Sequence, residues 1–134
     1  MRHADAGYAK AIEVAKRFAA KPPIAIGLIK ASFARDNGSL DDVLKNGKSL
    51  AFGNGDPNST SGFLVPGFYV FAKNKIDAKT HFKIVRNANH ETNALAVANK
   101  QVDVATNNSE NLDKIKERQP EKFKEIRVVW TSPL

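Results

Sequence analysis

Residues 53–63 read GNGDPNSTSGF, with the three hydroxyls of Ser59, Thr60 and Ser61 side by side and glycines on either flank. Adjacent alcohols followed by Gly62, which has no Cβ, can offer several donors to one tetrahedral oxyanion. Two further stretches carry reactive groups. NANHET (87–92) puts His90 at a helix start, and NNSEN (107–111) puts Glu110 in a first helical turn. Helix starts expose free N–H groups and the positive end of the dipole, and both favour negative charge. Each feature also has a structural account. Ser, Thr and Asn are preferred N-caps, a histidine at a helix start is commonly just exposed, and Asn107 with Glu110 three residues on fits a capping box.

The same residues could be cast as an enzyme. Ser59 or Ser61 would be the nucleophile, His90 the base, and Glu110 or Asp103 the orienting acid. NSTSG is not the G-x-S-x-G elbow, however, and no separate oxyanion hole is visible. His3, His81 and His90 lack the spacing that would gather them round a metal ion, so no metal or cofactor is expected. There is no phosphate loop for a nucleoside triphosphate, and no aromatic-and-basic strand pattern for single-stranded nucleic acid.

These groups matter only if the fold brings them together. SLAF (49–52), HFKIVR (81–86), QVDVAT (101–106) and EIRVVW (125–130) read as strands. FLVPGFYVFAKN has Leu64, Val65, Phe68 and Phe71 at helical spacing, with Pro66 near the first turn. Helices are also expected over 91–100 and over 109–119, the latter stopped by Pro120. Strands alternating with helices of this length predict an α/β fold with a small, mostly parallel sheet. Ligands gather at the carboxyl ends of such strands, where the three loops would converge. Earlier in the chain, GYAKAIEVAKRFAAK predicts an amphipathic helix stopped by Pro22 and Pro23. IAIGLIKASF fits strand or helix, and a short helix is expected from Ser39 to Gly47.

The 134 residues suffice for one domain and one core, and 42% apolar against 26% charged residues is a globular balance. No run reaches the length of a membrane span, so no direct membrane insertion is expected. Nothing in MRHADAGYAK resembles a signal-peptide core, which predicts a cytoplasmic chain unless a leader precedes it. Cysteine is absent, so disulfides and thiolate chemistry are excluded. The net charge of +7 is scattered, and its densest stretch, Asp113 to Arg127, interleaves acids as a solvated helix does. No nucleic-acid partner is expected.

Longer stretches add a resemblance. SLDDVLKNGKSLAFGNGDP, HETNALAVANKQVDVATNNSENLDKI and PEKFKEIRVVWTSPL closely resemble the periplasmic phosphonate-binding proteins of bacterial ABC transporters, near-continuously from Ser39 to the C-terminus. The resemblance implies one lobe of a type II periplasmic binding fold, in which two α/β lobes close over a phosphonate and deliver it to an ABC permease. It implies that Ser59, Thr60 and Ser61 hold the phosphonate oxygens, with Gly62 beside them and His90 facing the same group. It implies that Glu110 faces the amino group of a ligand such as 2-aminoethylphosphonate.

Departures from the family pattern carry expectations of their own. The family continues past WTSPL with a further acidic ligand, and its first lobe supplies aromatic residues that have no counterpart here. Residues 1–38 do not resemble the family's lead-in; AIEVAKRFAAKPPIAIGLIKASF is weakly similar to a C-terminal helical stretch of enoyl-CoA hydratases. A foreign, mostly helical segment (1–38) ahead of a phosphonate-binding lobe (39–134) is therefore expected, within a single domain. Half a cleft would bind weakly, and exposed lobe surface could support an oligomer. The alternative is a chimeric or engineered α/β domain with no retained ligand function.

Overall fold

The computed structural model of the chain describes residues 24–34 and 38–133. The helix expected over 7–21 lies outside the described residues.

Strands β1 (Ala25–Lys30), β2 (Ala51–Asn54), β3 (Ile84–Asn87), β4 (Val104–Asn108) and β5 (Ile126–Thr131) form one sheet in the order β3-β2-β4-β1-β5. β2 is parallel to β3 and β4, whereas β1 is antiparallel to both β4 and β5. The α/β class is as the sequence implied; the sheet itself is mixed, with two of its four pairings parallel and two antiparallel. The expected boundary at residue 38 is not where the sheet divides. IAIGLIKASF supplies β1 and then a helical turn, Ala31–Ala34, so this stretch is an interior strand and not part of a helical appendage. Its Ile26, Leu28 and Ile29 are all buried, which a strand covered on both faces requires.

The apolar residues divide by strand alternation into two layers. On one face Ile26, Leu28 and Ala105 pack with Ala94, Val97 and Ala98 of the helix His90–Ala98 and Ile115 of the helix Ser109–Arg118. On the other, Ile29, Phe52 and Val104 pack with Val43, Val70, Phe71 and Phe82. Three phenylalanines pack together in this second layer: the Phe52 ring stacks on Phe82 at 4.6 Å and meets Phe71 edge-on at 5.5 Å.

Three strands sit two or three residues later than the sequence implied, and His81 ends a short helix, Ala78–His81, instead of opening β3. A larger correction concerns the helix after the hydroxyls. Leu64 and Phe68, expected on its buried face, are 54% and 58% exposed, while Pro66, Val70 and Phe71 are buried. The cause is its winding. Leu64 N–H donates to Ser59 O and Val65 N–H to Thr60 O, five residues back, so Thr60–Leu64 and Gly67–Ala72 are π-helical and the buried stripe rotates off the 3.6-residue rows. Pro66 lies inside this helix, not in its first turn, and its missing N–H favours the wider winding.

Candidate functional site

Because β2, β3 and β4 run parallel, their carboxyl ends share one edge of the sheet. Ser59–Gly62 follow β2, His90 follows β3 and Glu110 follows β4. The convergence extends to the side chains. Ser61 Oγ lies 3.0 Å from His90 Nε2, and Asn108 Nδ2 reaches Ser61 Oγ at 3.4 Å. Hydroxyl cluster, imidazole and the tip of β4 therefore form one constellation.

The hydroxyl loop is folded by its own sequence. Asp56 turns the chain by accepting from Asn58 N with its carboxylate and from Ser59 N with its carbonyl. Ser59 is the N-cap, and its Oγ accepts from Gly62 N at 3.0 Å. The Gly62 N–H is thereby used within the loop. The N–H groups of Thr60 and Ser61, first in the helix, have no hydrogen-bond partner among the described residues. Pro66 then does something specific. In an α-helix its nitrogen would face the Gly62 carbonyl four residues back, but it carries no hydrogen. That carbonyl instead accepts from Gly55 N at 2.9 Å and from Thr106 Oγ1 of β4 at 2.5 Å, which fastens the cradle to two strands.

Both glycines here are steric requirements. A Cβ on Gly55 would stand 2.4 Å from the Gly62 carbonyl carbon, so the loop could not close. A Cβ on Gly62 would stand 2.8 Å from His90 Cε1. Gly62 thus admits the imidazole, a role that the sequence reading, which gave it to close approach by a ligand, did not foresee.

Beneath the hydroxyls lies a layer of buried amides. Asn107 is fully buried; its Nδ2 donates to His90 O at 2.7 Å and its Oδ1 accepts from Asn111 Nδ2 at 2.9 Å. Asn93 is 2% exposed and donates to Asn54 O at 2.8 Å and Ala88 O at 3.2 Å. At the exposed rim of this layer Asn87 Nδ2 donates to Gly55 O at 2.7 Å. These side chains tie the tips of β2, β3 and β4 to one another. The signal that could have found them was the recurrence of asparagine at the ends of β2, β3 and β4, which caps seemed to explain. One such cap was misread. The helix Ser109–Arg118 is capped by Asn108, whose Oδ1 accepts from Asn111 N at 2.8 Å, whereas Asn107 is inside β4 and makes no box with Glu110.

His90 Nδ1 is buried and has no hydrogen-bond partner among the described residues. Burial holds the imidazole below its ordinary pKa, which keeps it neutral near pH 7. Ser61 and His90 stand at nucleophile–base distance, but a triad also needs a group to orient the base. Asp103 cannot serve. It lies before β4, at the opposite end from the site, accepting from Ala51 N at 2.7 Å and pairing with Lys30 Nζ at 2.6 Å. Glu110 is exposed in the first turn of its helix and pairs with Lys114 at 3.3 Å. The structure thus brings Ser61 to His90 and leaves both candidate acids out of contact with the ring. Thr60 is exposed at the head of its helix. His81 is held elsewhere, its Nε2 2.6 Å from Leu44 O.

A sheet of this order, with helices on both faces and its loops gathered at one edge, defines a lobe of the type II periplasmic binding fold, and solved structures similar to it have that fold. Residues 6–134 match the family described as "ABC transporter, phosphonate, periplasmic substrate-binding protein", and the chain belongs to that family. It is 71% identical over 96 residues to the phosphonates-binding periplasmic protein of Escherichia coli (strain K12), an alignment that covers 72% of this chain and 28% of that protein. The crystal structure of a binding-protein component of an ABC phosphonate transporter from Pseudomonas aeruginosa superposes with a TM-score of 0.78. The two are 54% identical over 84% of this chain and 36% of that one. A Prochlorococcus marinus protein solved in complex with methylphosphonate shares the fold (TM-score 0.67, 22% identity, 83% of this chain and 41% of that one). The chain thus spans 28% and 36% of the length of the first two relatives. The family match begins at residue 6, well before the boundary expected at 38.

Proposed function

We propose that residues 39–134, with β1 completing their sheet, form one wall of a phosphonate-binding cleft, and that Ser59, Thr60, Ser61 and Gly62 are its oxyanion cradle. The observation that carries this is the approach of Ser61 Oγ to His90 Nε2, 3.0 Å, at the edge where three parallel strands end. Hydroxyls and the first N–H groups of a helix suit a phosphorus oxyanion by charge and geometry. His90 supports the cradle by holding Ser61. Glu110, on the next helix, would receive the ammonium of 2-aminoethylphosphonate in exchange for its exposed pairing with Lys114. The partner for delivery is an ABC permease, as the family description implies. The chemistry is binding and transport, not turnover.

One wall leaves its ligand in contact with water, where charge-assisted contacts are worth little. This 134-residue chain alone should therefore bind with Kd on the order of millimolar, about −4 kcal/mol. Titrating 2-aminoethylphosphonate while following the Thr60 and Ser61 amide resonances tests it. Saturable shifts, lost in the Ser59→Ala/Thr60→Ala double variant with the fold intact, are expected. Amide resonances that do not move would leave a domain without ligand function.

A further inference from the structure

Resting on the reading that this cradle takes a phosphorus oxyanion, we propose that Asn108 makes the Ser61 hydroxyl a one-way donor, so that the cradle selects the fully ionised ligand over its singly protonated form. Asn108 closes β4 and caps the next helix. Its Oδ1 is committed to Asn111 N at 2.8 Å, which fixes the rotation of the amide and turns Nδ2 toward Ser61 Oγ at 3.4 Å. An amide NH2 can only donate, so Ser61 Oγ accepts there.

On its other side Ser61 Oγ meets His90 Nε2 at 3.0 Å. His90 Nδ1 is buried without a partner, and a bare lone pair is a less costly orphan than a buried N–H. The ring proton therefore belongs on Nε2 and points at Ser61. With two donors on its oxygen, Ser61 has its own hydrogen left to give. Ser59 Oγ is partly committed in the same sense, accepting from Gly62 N. The N–H groups of Thr60 and Ser61 are donors by nature, and the Thr60 hydroxyl is the one ambivalent group in the cradle. A P–OH brought here meets mostly hydrogen, whereas a dianionic phosphonate presents three acceptor oxygens.

At this edge the charged and titratable side chains are Asp56 before the cradle, Arg86 near the tip of β3, His90 and Glu91 opening one helix, and Glu110, paired with Lys114, opening the next. Of these, His90 touches Ser61, and protonating it would not reverse the bond, because Nε2 donates in either state. Ionisation of the ligand should therefore dominate the pH profile.

The test is an NMR titration of the full chain with methylphosphonate at pH values spanning that ligand's second ionisation. Methanesulfonate, an anion of fixed charge, reports any titration of the protein itself. The phosphonate-to-sulfonate affinity ratio should rise about tenfold per pH unit until the ligand is fully ionised, then level off. Asn108→Ser keeps a capping hydroxyl and adds no charge; it should flatten that rise and lower the plateau ratio at least fivefold, with the melting curve unchanged. Asn108→Asp also caps, but it would capture the Ser61 hydrogen and should weaken methylphosphonate more than tenfold. Saturable binding with a ratio flat in pH, or Asn108→Ser behaving as the parent chain, overturns this inference and leaves the proposed function standing. Absence of saturable methylphosphonate binding at every pH removes both.

Discussion

Replacing Gly62 by alanine sets two effects of opposite sign against each other. Gly62 has no positive φ, so alanine suits its backbone, and a helical Gly→Ala exchange taken alone should stabilise by about 1 kcal/mol. Against that, the new methyl carbon would lie 2.8 Å from His90 Cε1, 3.0 Å from Ser59 Oγ and 3.2 Å from Gly55 Cα. Carbon–carbon contacts settle at about 3.5–4.0 Å, so the ring must retreat by about 1 Å. Overpacking of this kind costs about 1–3 kcal/mol, so the net effect should be a loss of up to about 2 kcal/mol. The same retreat takes Nε2 from 3.0 Å to beyond hydrogen-bonding range of Ser61 Oγ. Urea denaturation reads the first consequence and the His90 Cε1 proton resonance reads the second. A Gly62→Ala chain about 1 kcal/mol more stable than the parent, with that resonance unmoved, would refute the assignment of Gly62 as the seat of the imidazole.

Three other perturbations probe different layers. Asn107→Ala removes the donor to the His90 carbonyl and leaves Asn111 Nδ2 without its acceptor, so a loss of about 1–3 kcal/mol in urea is expected, with a displaced His90 resonance. His90 is held below its ordinary value of 6.5 by burial, so the unfolded chain takes up the proton first as pH falls. Stability should therefore decline as pH drops below that value and level off below the folded pKa, and urea midpoints for the parent and His90→Asn between about pH 8 and pH 5 should diverge. Phe52→Ala removes the ring at the centre of the aromatic layer and should cost about 3–5 kcal/mol by thermal or urea melting, without altering the Ser61–His90 contact.

Which features the sequence revealed follows from the physics of each. Phe52 lies in a short apolar run, and Val104 and Ile126 in β-branched stretches broken by single charges; these announce strands, and alternation with helices fixed the α/β class. The strands end later than expected because their last residues, Asn54, Asn87 and Asn108, are polar and look like loop. β1 was ambiguous because a strand buried on both faces has no period, and nothing local says that it runs against its neighbours. The helix face was misassigned because 3.6-residue spacing was applied to a segment that Pro66 helps wind more widely. Ser59, Ser61 and His90 were legible as a group because helix starts at parallel strand ends must converge. Asn107 and Asn93 were not, since a caps-and-turns residue type says nothing of burial until the tertiary fold is known.

The layer under His90 includes three small residues, Ala94, Ala98 and Ala105, among its Ile, Leu and Val side chains, where the opposite face of the sheet carries phenylalanines. Short side chains let that helix approach the strands closely, so methyl groups about one and two turns along from the imidazole act as its gauge. Thickening the seam by a single carbon would lift the whole rod. A chain can thus retune how far its histidine leans toward the serine without altering any polar atom, and drift in the reach of the site should be sought among alanines.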